Sequence, residues 1–403
     1  MNKLRLATVL CLGLGVTVPA AMAAHEAVSA KHKAAAVYSS ENVLSVDIKY
    51  VDDAVHLLLG KKIDGEDSLW YQASADQGLT WSAAVNITAG LSIHARISRG
   101  NDARLAVQGE HIVAVWMSKK EGGRHSAGPM VTMVSDDAGQ SWAMVDSPAD
   151  WQGPHGFFAM DADEDAISLA WLDSRTKQGE GATQGLRYSK SVDGGRTWST
   201  NKTLDERSCA CCWNTAKYHD GQFYVLYRDK DPSDMTLGKI DPQQEWTRLS
   251  TVGNFNWDFQ GCPHIGGSIA FDDQQGLIHS TVGTGHAEQS GIYYLNSADK
   301  GQTWIAPVRL GEDTAVHSDL AVAGNGEVLA AWDTITATGY RIAYSRSSDQ
   351  GQSWSKALPI SADGVRATHP RVVAMADQFL LVWTEGKAKK AGIMRITTMP
   401  FGQ

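Results

Sequence analysis

The sequence has few of the features that mark membrane-spanning or nucleic-acid-binding proteins. Its apolar run Leu6–Val18 is shorter than the roughly 20 residues of a transmembrane helix, and no later segment approaches that length. Basic residues are outnumbered, with 36 Lys and Arg against 45 Asp and Glu. This balance argues against nucleic acid or an anionic membrane as partner. No glycine-rich loop leads into a helix, so no nucleotide cofactor is expected.

The amino terminus has the pattern of a secretory signal. Lys3 and Arg5 precede the apolar run, and Ala21-Met22-Ala23 follows it as a cleavage site with small residues at both ends. We therefore predict a signal peptide over residues 1–23. The mature protein, residues 24–403, is expected to be periplasmic or secreted.

An eight-residue pattern, Ser-x-Asp-x-Gly-x-Ser/Thr-Trp, recurs along the chain. Its five copies begin at Ser74, Ser135, Ser191, Ser297 and Ser347. In such a segment the Asp carboxylate can accept backbone N–H groups and Gly can adopt positive φ. The Trp then packs beneath the turn. We interpret these aspartates as turn residues and not as catalytic groups.

A second repeat consists of short strand pairs that form seven units. The residues at the entry of the first strand of each unit are Asp47, Asp102, His155, Trp213, His264, His317 and His369. Their spacing of 51 to 58 residues matches the blade period of a propeller. We predict an all-β fold, a single β-propeller domain of four-stranded blades over residues 24–403. Seven blades are favoured and six are the alternative; residues 36–40 are expected to complete the last blade.

The eight-residue pattern resembles the Asp-box, or BNR, repeat of the sialidase-like β-propellers, and it extends from Ser74 to Trp354. The resemblance implies the fold. It also implies one alternative function, a diverged exo-sialidase or other glycoside hydrolase, or a glycan-binding propeller. Sialidases of this fold hold the substrate carboxylate with three arginines, the first in an Arg-Ile-Pro motif. Here Arg96-Ile97-Ser98 and Arg341-Ile342-Ala343 are the nearest strings. No arginine triad is recognisable, so catalytic residues and enzymatic activity stay open.

Four histidines and two aspartates stand among the seven entry positions. Because innermost strands line the channel of a propeller, these side chains are expected at one mouth of it. Imidazole and carboxylate groups are ligands for divalent transition metals. The alternative is that each histidine hydrogen-bonds only water or neighbouring backbone.

Four cysteines remain after removal of the signal. Cys209, Cys211 and Cys212 precede the fourth unit, and Cys262 precedes the fifth. Every disulfide pairing of the four includes a bond between residues three or fewer apart, which closes almost no loop and contributes little stability. Thiolates beside imidazoles suit a transition metal, copper before zinc. Ordinary disulfides are the alternative.

The predicted function is therefore an exported propeller that binds copper or zinc at the channel mouth. The candidate ligands are Cys209, Cys211, Cys212, Cys262, His264, His155, His317 and His369. A glycan or another small molecule is the alternative ligand, and a periplasmic scaffold or assembly factor is a further alternative function. A closed ring needs no partner for stability, so a monomer is expected; the sequence identifies no protein partner.

Overall fold

A computed structural model describes residues 38–120, 127–176, 183–387 and 390–402. The predicted signal peptide lies outside these residues. Every regular element within the described ranges is a β-strand, and every strand pairing is antiparallel. The all-β prediction is therefore confirmed. None of the described segments forms a helix with the length and apolar character of a membrane span.

The strands divide into seven groups, each running outwards from an innermost strand. The first three groups are β1–β4 (Tyr38–Val51, Ala54–Ile63, Glu66–Ser74, Val85–Asn86), β5–β9 (Ala95–Arg96, Arg104–Gln108, His111–Lys119, Ala127–Ser135, Ala143–Val145) and β10–β13 (His155–Ala162, Ile167–Asp173, Thr183–Ser191, Lys202–Cys209). The next three are β14–β17 (Thr215–His219, Gln222–Arg228, Met235–Ile240, Trp246–Thr251), β18–β21 (Gly267–Asp272, Leu277–Thr284, Gly291–Ser297, Val308–Arg309) and β22–β25 (Ala315–Val322, Val328–Thr336, Gly339–Ser347, Leu358–Pro359). The last comprises β26–β28 (Ala367–Ala374, Gln378–Glu385, Gly392–Pro400) and the first half of β1.

Strand β1 joins the two ends of the chain. Its first half, Tyr38–Val43, pairs with β28 as the outer strand of the last group. Its second half, Ser45–Val51, pairs with β2 as the innermost strand of the first group. The first and last groups therefore form one seven-stranded sheet, and the ring closes through main-chain hydrogen bonds.

The innermost strands β1, β6, β10, β14, β18, β22 and β26 contact one another in that order, and β26 contacts β1. They surround an axial cavity of about 380 Å³. Its wall carries charged side chains that include Lys49, Asp161, Lys217 and Asp319. Apolar side chains instead fill the spaces between adjacent groups, where Trp116, Trp171 and Trp332 are fully buried.

The five Asp-box segments form the turns between the third and fourth strands of their groups. In the fifth group, Ser297 Oγ donates to Asp299 Oδ1 at 2.8 Å and accepts from the Gly301 N–H at 2.9 Å. Asp299 also accepts from the N–H and hydroxyl of Thr303. These bonds explain why the motif needs Ser, Asp and Gly at this spacing, and they give the aspartates a structural role.

Candidate functional site at the channel mouth

Three cysteines lie where the chain crosses from the third group to the fourth. Cys209 ends β13, and Cys211 and Cys212 lie in the short connection to β14. The three side chains pack together with exposed fractions of 2 %, 6 % and 1 %, and the ring of Phe157 covers them. The Sγ atoms of Cys209 and Cys212 are 2.7 Å apart. One short connection thus concentrates three sulfur donors in a buried cluster.

The thiols of this cluster differ in acidity. Hydrogen bonds from Cys211 and Cys212 lower the pKa of Cys209. The same bonds raise the pKa of Cys211, and burial raises that of Cys212. Hydrogen bonding within the cluster therefore favours the loss of one thiol proton.

Cys262 and His264 lie on the connection between β17 and β18, next to the cysteine cluster. Cys262 is exposed, and a hydrogen bond between its thiol and that of Cys211 helps to raise the pKa of Cys211. His264 is exposed with φ +55°, and its ring centroid is 6.3 Å from that of Phe157. The structure thus brings Cys262 to the three cysteines and places the His264 ring beside that of Phe157.

His155 does not join this cluster. It is buried between the rings of Trp151 and Trp171, and its Nδ1 accepts the Met130 N–H at 3.0 Å. Burial lowers the pKa of His155 to about 4. Its contacts therefore lie in the packing between the second and third groups.

Counting along the sequence selects His155 because it misaligns β10 by two residues relative to β22 and β26. The pairing of β10 with β11 shifts between Gly156 and Ala159. The corresponding shifts in β22 and β26 contain His317 and His369. Phe157, two residues beyond His155, is the residue in the equivalent bulge.

His317 and His369 form a second cluster with Asp333. Their rings stack with centroids 4.0 Å apart. His317 Nδ1 lies 2.6 Å from Asp333 Oδ2, which also accepts the His369 N–H at 2.9 Å. The ring of Trp213 lies 4.9 Å from His317 and 5.6 Å from His369. Among the described residues these three are the group whose potential ligand atoms all lie within 4.8 Å of one another.

The two aspartates at the predicted entry positions form ion pairs with arginines. Asp47 Oδ1 pairs with Arg104 at 3.0 Å, and Asp102 Oδ2 pairs with Arg371 at 3.1 Å. Burial raises the pKa of Asp102, and Arg104 and Arg371 oppose that shift. These carboxylates therefore balance buried arginines and leave little capacity for a metal ion.

Two further arginines near His369 differ from these because neither forms an ion pair within the described part of the chain. Arg99 donates to carbonyl oxygens of Lys387 and Lys390, and Arg366 lies 3.9 Å from the centroid of the Tyr340 ring. Burial and the proximity of Arg366 lower the pKa of Arg99. This side of the mouth therefore has unbalanced positive charge.

Sequence reasoning did not select Asp333 or Arg366, and it could not assign Arg99 to an arginine triad. Asp333 follows the buried Trp332 in the second strand of its group, and its backbone lies opposite the bulge that holds His317. A polar residue directly after the tryptophan of a buried strand was the available signal. Arg99 lies in the segment between β5 and β6. The fold places this segment at the channel mouth, and its sequence alone does not indicate that position.

No family model and no curated relative matches the sequence. Solved structures do match its fold. A PL25 ulvan lyase bound to -[GlcA(1-4)Rha3S]- has a TM-score of 0.60 at 12% identity, with 92% of this chain and 97% of that chain covered. The polysaccharide lyase Uly1 has a TM-score of 0.53 at 11% identity, covering 87% and 89%.

A mutant of the NanB sialidase from Streptococcus pneumoniae has a TM-score of 0.51 at 10% identity, covering 92% of this chain and 71% of that chain. Identities this low establish the fold alone, since unrelated chemistries share one fold. The protein therefore has the fold of the sialidase-like β-propeller superfamily.

Proposed function

We propose that the protein is an exported propeller that binds a soft transition-metal ion, copper before zinc, through Cys209, Cys211 and Cys212. The observation that carries the proposal is the convergence of three buried thiols from one connection. Thiolate ligands select Cu(I) and Zn(II). The low pKa of Cys209 supports binding, because a metal ligand must be a thiolate.

The number of ligands available, including Cys262 or His264, distinguishes zinc from copper at this site. Structural zinc sites are almost always four-coordinate, so zinc requires Cys262 or His264 in addition to the three buried thiols. Copper(I) is satisfied by the three buried thiolates alone. His155, His317 and His369 are not part of this proposed site, because their contacts lie elsewhere.

Elemental analysis of untagged protein purified from the periplasm tests the proposal. We expect about one metal ion per chain, lost when Cys211 and Cys212 are both replaced by serine. Cys262→Ser combined with His264→Ala retains copper but loses zinc. His286→Ala, which replaces a partly buried histidine on the connection between β19 and β20, is the control and keeps the ion. Protein without metal, without free thiols, and unable to take up Cu(I) after reduction would contradict the proposal.

A second candidate function is recognition of an acidic glycan at the same mouth. Arg99 and Arg366, which lack carboxylate partners among the described residues, favour an anionic ligand. Similarity of fold to two polysaccharide lyases is compatible with it. Calorimetric titration with uronate-containing oligosaccharides should show binding that is lost in Arg99→Gln and Arg366→Gln. It should be unaffected by cysteine replacement and by the control Arg196→Gln, which lies at an Asp-box turn. Equal binding by all variants would exclude this function.

A further inference from the structure

The His317 cluster contains a buried carboxylate whose cationic partner among the described residues, His317, carries a charge only when it is protonated. Asp333 is 0 % exposed, and its oxygens accept the N–H groups of His317 and His369 and face His317 Nδ1. No lysine or arginine pairs with it in the described part of the chain. By contrast, buried Asp47, Asp102 and Asp173 each pair with arginine. Since a buried charge is costly unless it is paired or coordinates a metal, Asp333 requires a countercharge.

The second observation is an unsatisfied nitrogen. His369 Nδ1 is buried and has no hydrogen-bond partner among the described residues. Its backbone is in the left-handed region with φ +58°, a conformation that costs energy for a side chain of this size. Gly100 packs against the other side of the ring, because a Cβ there would lie 3.4 Å from His369 Nε2. A buried ring nitrogen without a partner is an available ligand atom.

We infer that His317, His369 and Asp333 form a metal site that is separate from the cysteine cluster. Two imidazoles and a carboxylate favour a borderline divalent ion such as Zn(II) or Cu(II) over Cu(I). Three protein ligands leave the fourth position of a tetrahedral ion open, as in catalytic zinc sites.

The two clusters are separated by Trp213. This residue directly follows Cys212, yet its ring contacts both imidazoles while the Cys212 sulfur packs with Cys209. The guanidinium carbon of Arg371 lies over the Trp213 ring, 5.2 Å from the ring centroid. With Arg99 and Arg366 it adds positive charge near His369. This charge opposes a bare dication and favours an anionic fourth ligand, such as hydroxide or a carboxylate from solution.

Titration of a variant without thiols tests the site independently of the proposed function. Cys209, Cys211, Cys212 and Cys262 are all replaced by serine, and the protein is titrated with Zn(II) and with Co(II) as a spectroscopic probe. We expect one ion per chain and a Co(II) ligand-field spectrum without sulfur charge-transfer bands. Acetate added to the titration tightens binding by supplying the fourth ligand.

Ligand variants are made in the same serine background. Asp333→Asn and His369→Gln each weaken Zn(II) binding by at least ~10-fold, as loss of a ligand should. His111→Gln is the matched control, because His111 also pairs with an aspartate, Asp136, at 2.7 Å but has no second imidazole. Thermal unfolding verifies that each variant is folded, and His369→Gln, at a partly exposed position, is the milder change.

Two results would overturn the inference. One is a folded serine variant that binds neither ion; the other is equal affinity in the Asp333→Asn and His369→Gln variants and their parent. Retention of one ion by the parental chain and none by the serine variant would reject this site while leaving the cysteine site standing. An ion in the serine variant supports this site whether or not the cysteines bind copper.

Discussion

At the scale of single residues, buried imidazoles recur inside the blades. His279 is fully buried, with Nδ1 2.7 Å from the hydroxyl of Tyr294, and His56 makes the same contact with Tyr71. Burial lowers the pKa of His279 to about 4. It lowers that of His56 as well. Such side chains are neutral packing groups in the folded protein and gain a proton readily only on unfolding.

His279 should therefore make stability depend on pH. Its pKa is about 4 in the folded state and about 6.5 in an unfolded chain, so the unfolded state binds more protons between these values. Stability is fully present above about pH 6.5 and falls as the pH is lowered towards 4. In His279→Gln the loss of unfolding free energy between pH 7 and pH 5 should be smaller by about 2 kcal/mol. Urea unfolding at both pH values measures it, with exposed His111→Gln as control; an unchanged loss would refute the assignment.

Site residues were only partly predictable. The sequence grouped Cys209, Cys211 and Cys212 and pointed to Cys262, because both segments lead into adjacent innermost strands. It included His155 because counting along the sequence misaligns β10 by two residues, and the position equivalent to His317 and His369 is Phe157. Asp333 lies on a second strand and reaches His317 only through strand pairing.

At the scale of elements, the Asp-box turn also connects neighbouring groups. A Cβ on each box glycine would collide with a side chain of the preceding group: Gly139 with Tyr71, Gly195 with Val113, Gly301 with Leu237, Gly351 with Tyr294, and Gly78 with Leu380 of the last group. The glycines are thus required both for positive φ and for close packing between groups. Local sequence predicts the first requirement, and only the assembled ring reveals the second.

Replacement of a box glycine separates these two requirements. Gly139 has φ +87°, and a Cβ there would lie 2.0 Å from Tyr71. Gly221 has φ +66° with nothing within 4 Å. We expect Gly221→Ala to cost about 1–2 kcal/mol of unfolding free energy from the backbone alone. Gly139→Ala should cost a further ~1–3 kcal/mol from overpacking. Equal losses in denaturant unfolding would show that Tyr71 moves aside freely.

The fourth group, one of the two groups without a box, shows what the motif supplies. In the fourth group the turn between β16 and β17 is capped by Asp241, whose Oδ1 accepts the Glu245 N–H at 2.8 Å. The same capping bond thus forms without the Ser, Gly and Trp of the motif. The repeat predicts the strands next to each box. The capped turn of the fourth group carries no box, so it could be located only from the pairing of its strands in the structure.

At the scale of the whole molecule, stability depends on closing the ring. Most contacts are local to a group or to its neighbours, so the ends of the chain are joined chiefly by the pairing of β1 with β28. Val43 is fully buried at this junction, and Tyr38 stacks on Trp81 at 5.2 Å. An open ring would leave β28 as an unpaired edge, which is a template for association with other chains.

Removal of the first half of β1 should therefore lower the stability of the ring and leave β28 as an unpaired edge. A chain that begins at Leu44 loses the pairing of Tyr38–Val43 with β28 and the burial of Val43, which alone contributes about 1.5–3 kcal/mol. We expect a lower unfolding temperature and self-association in size-exclusion chromatography with light scattering. A chain that begins at Tyr38 retains the strand and should be a monomer of higher stability. If both chains melt alike and remain monomeric, the ring is held by packing between groups, and main-chain closure is dispensable.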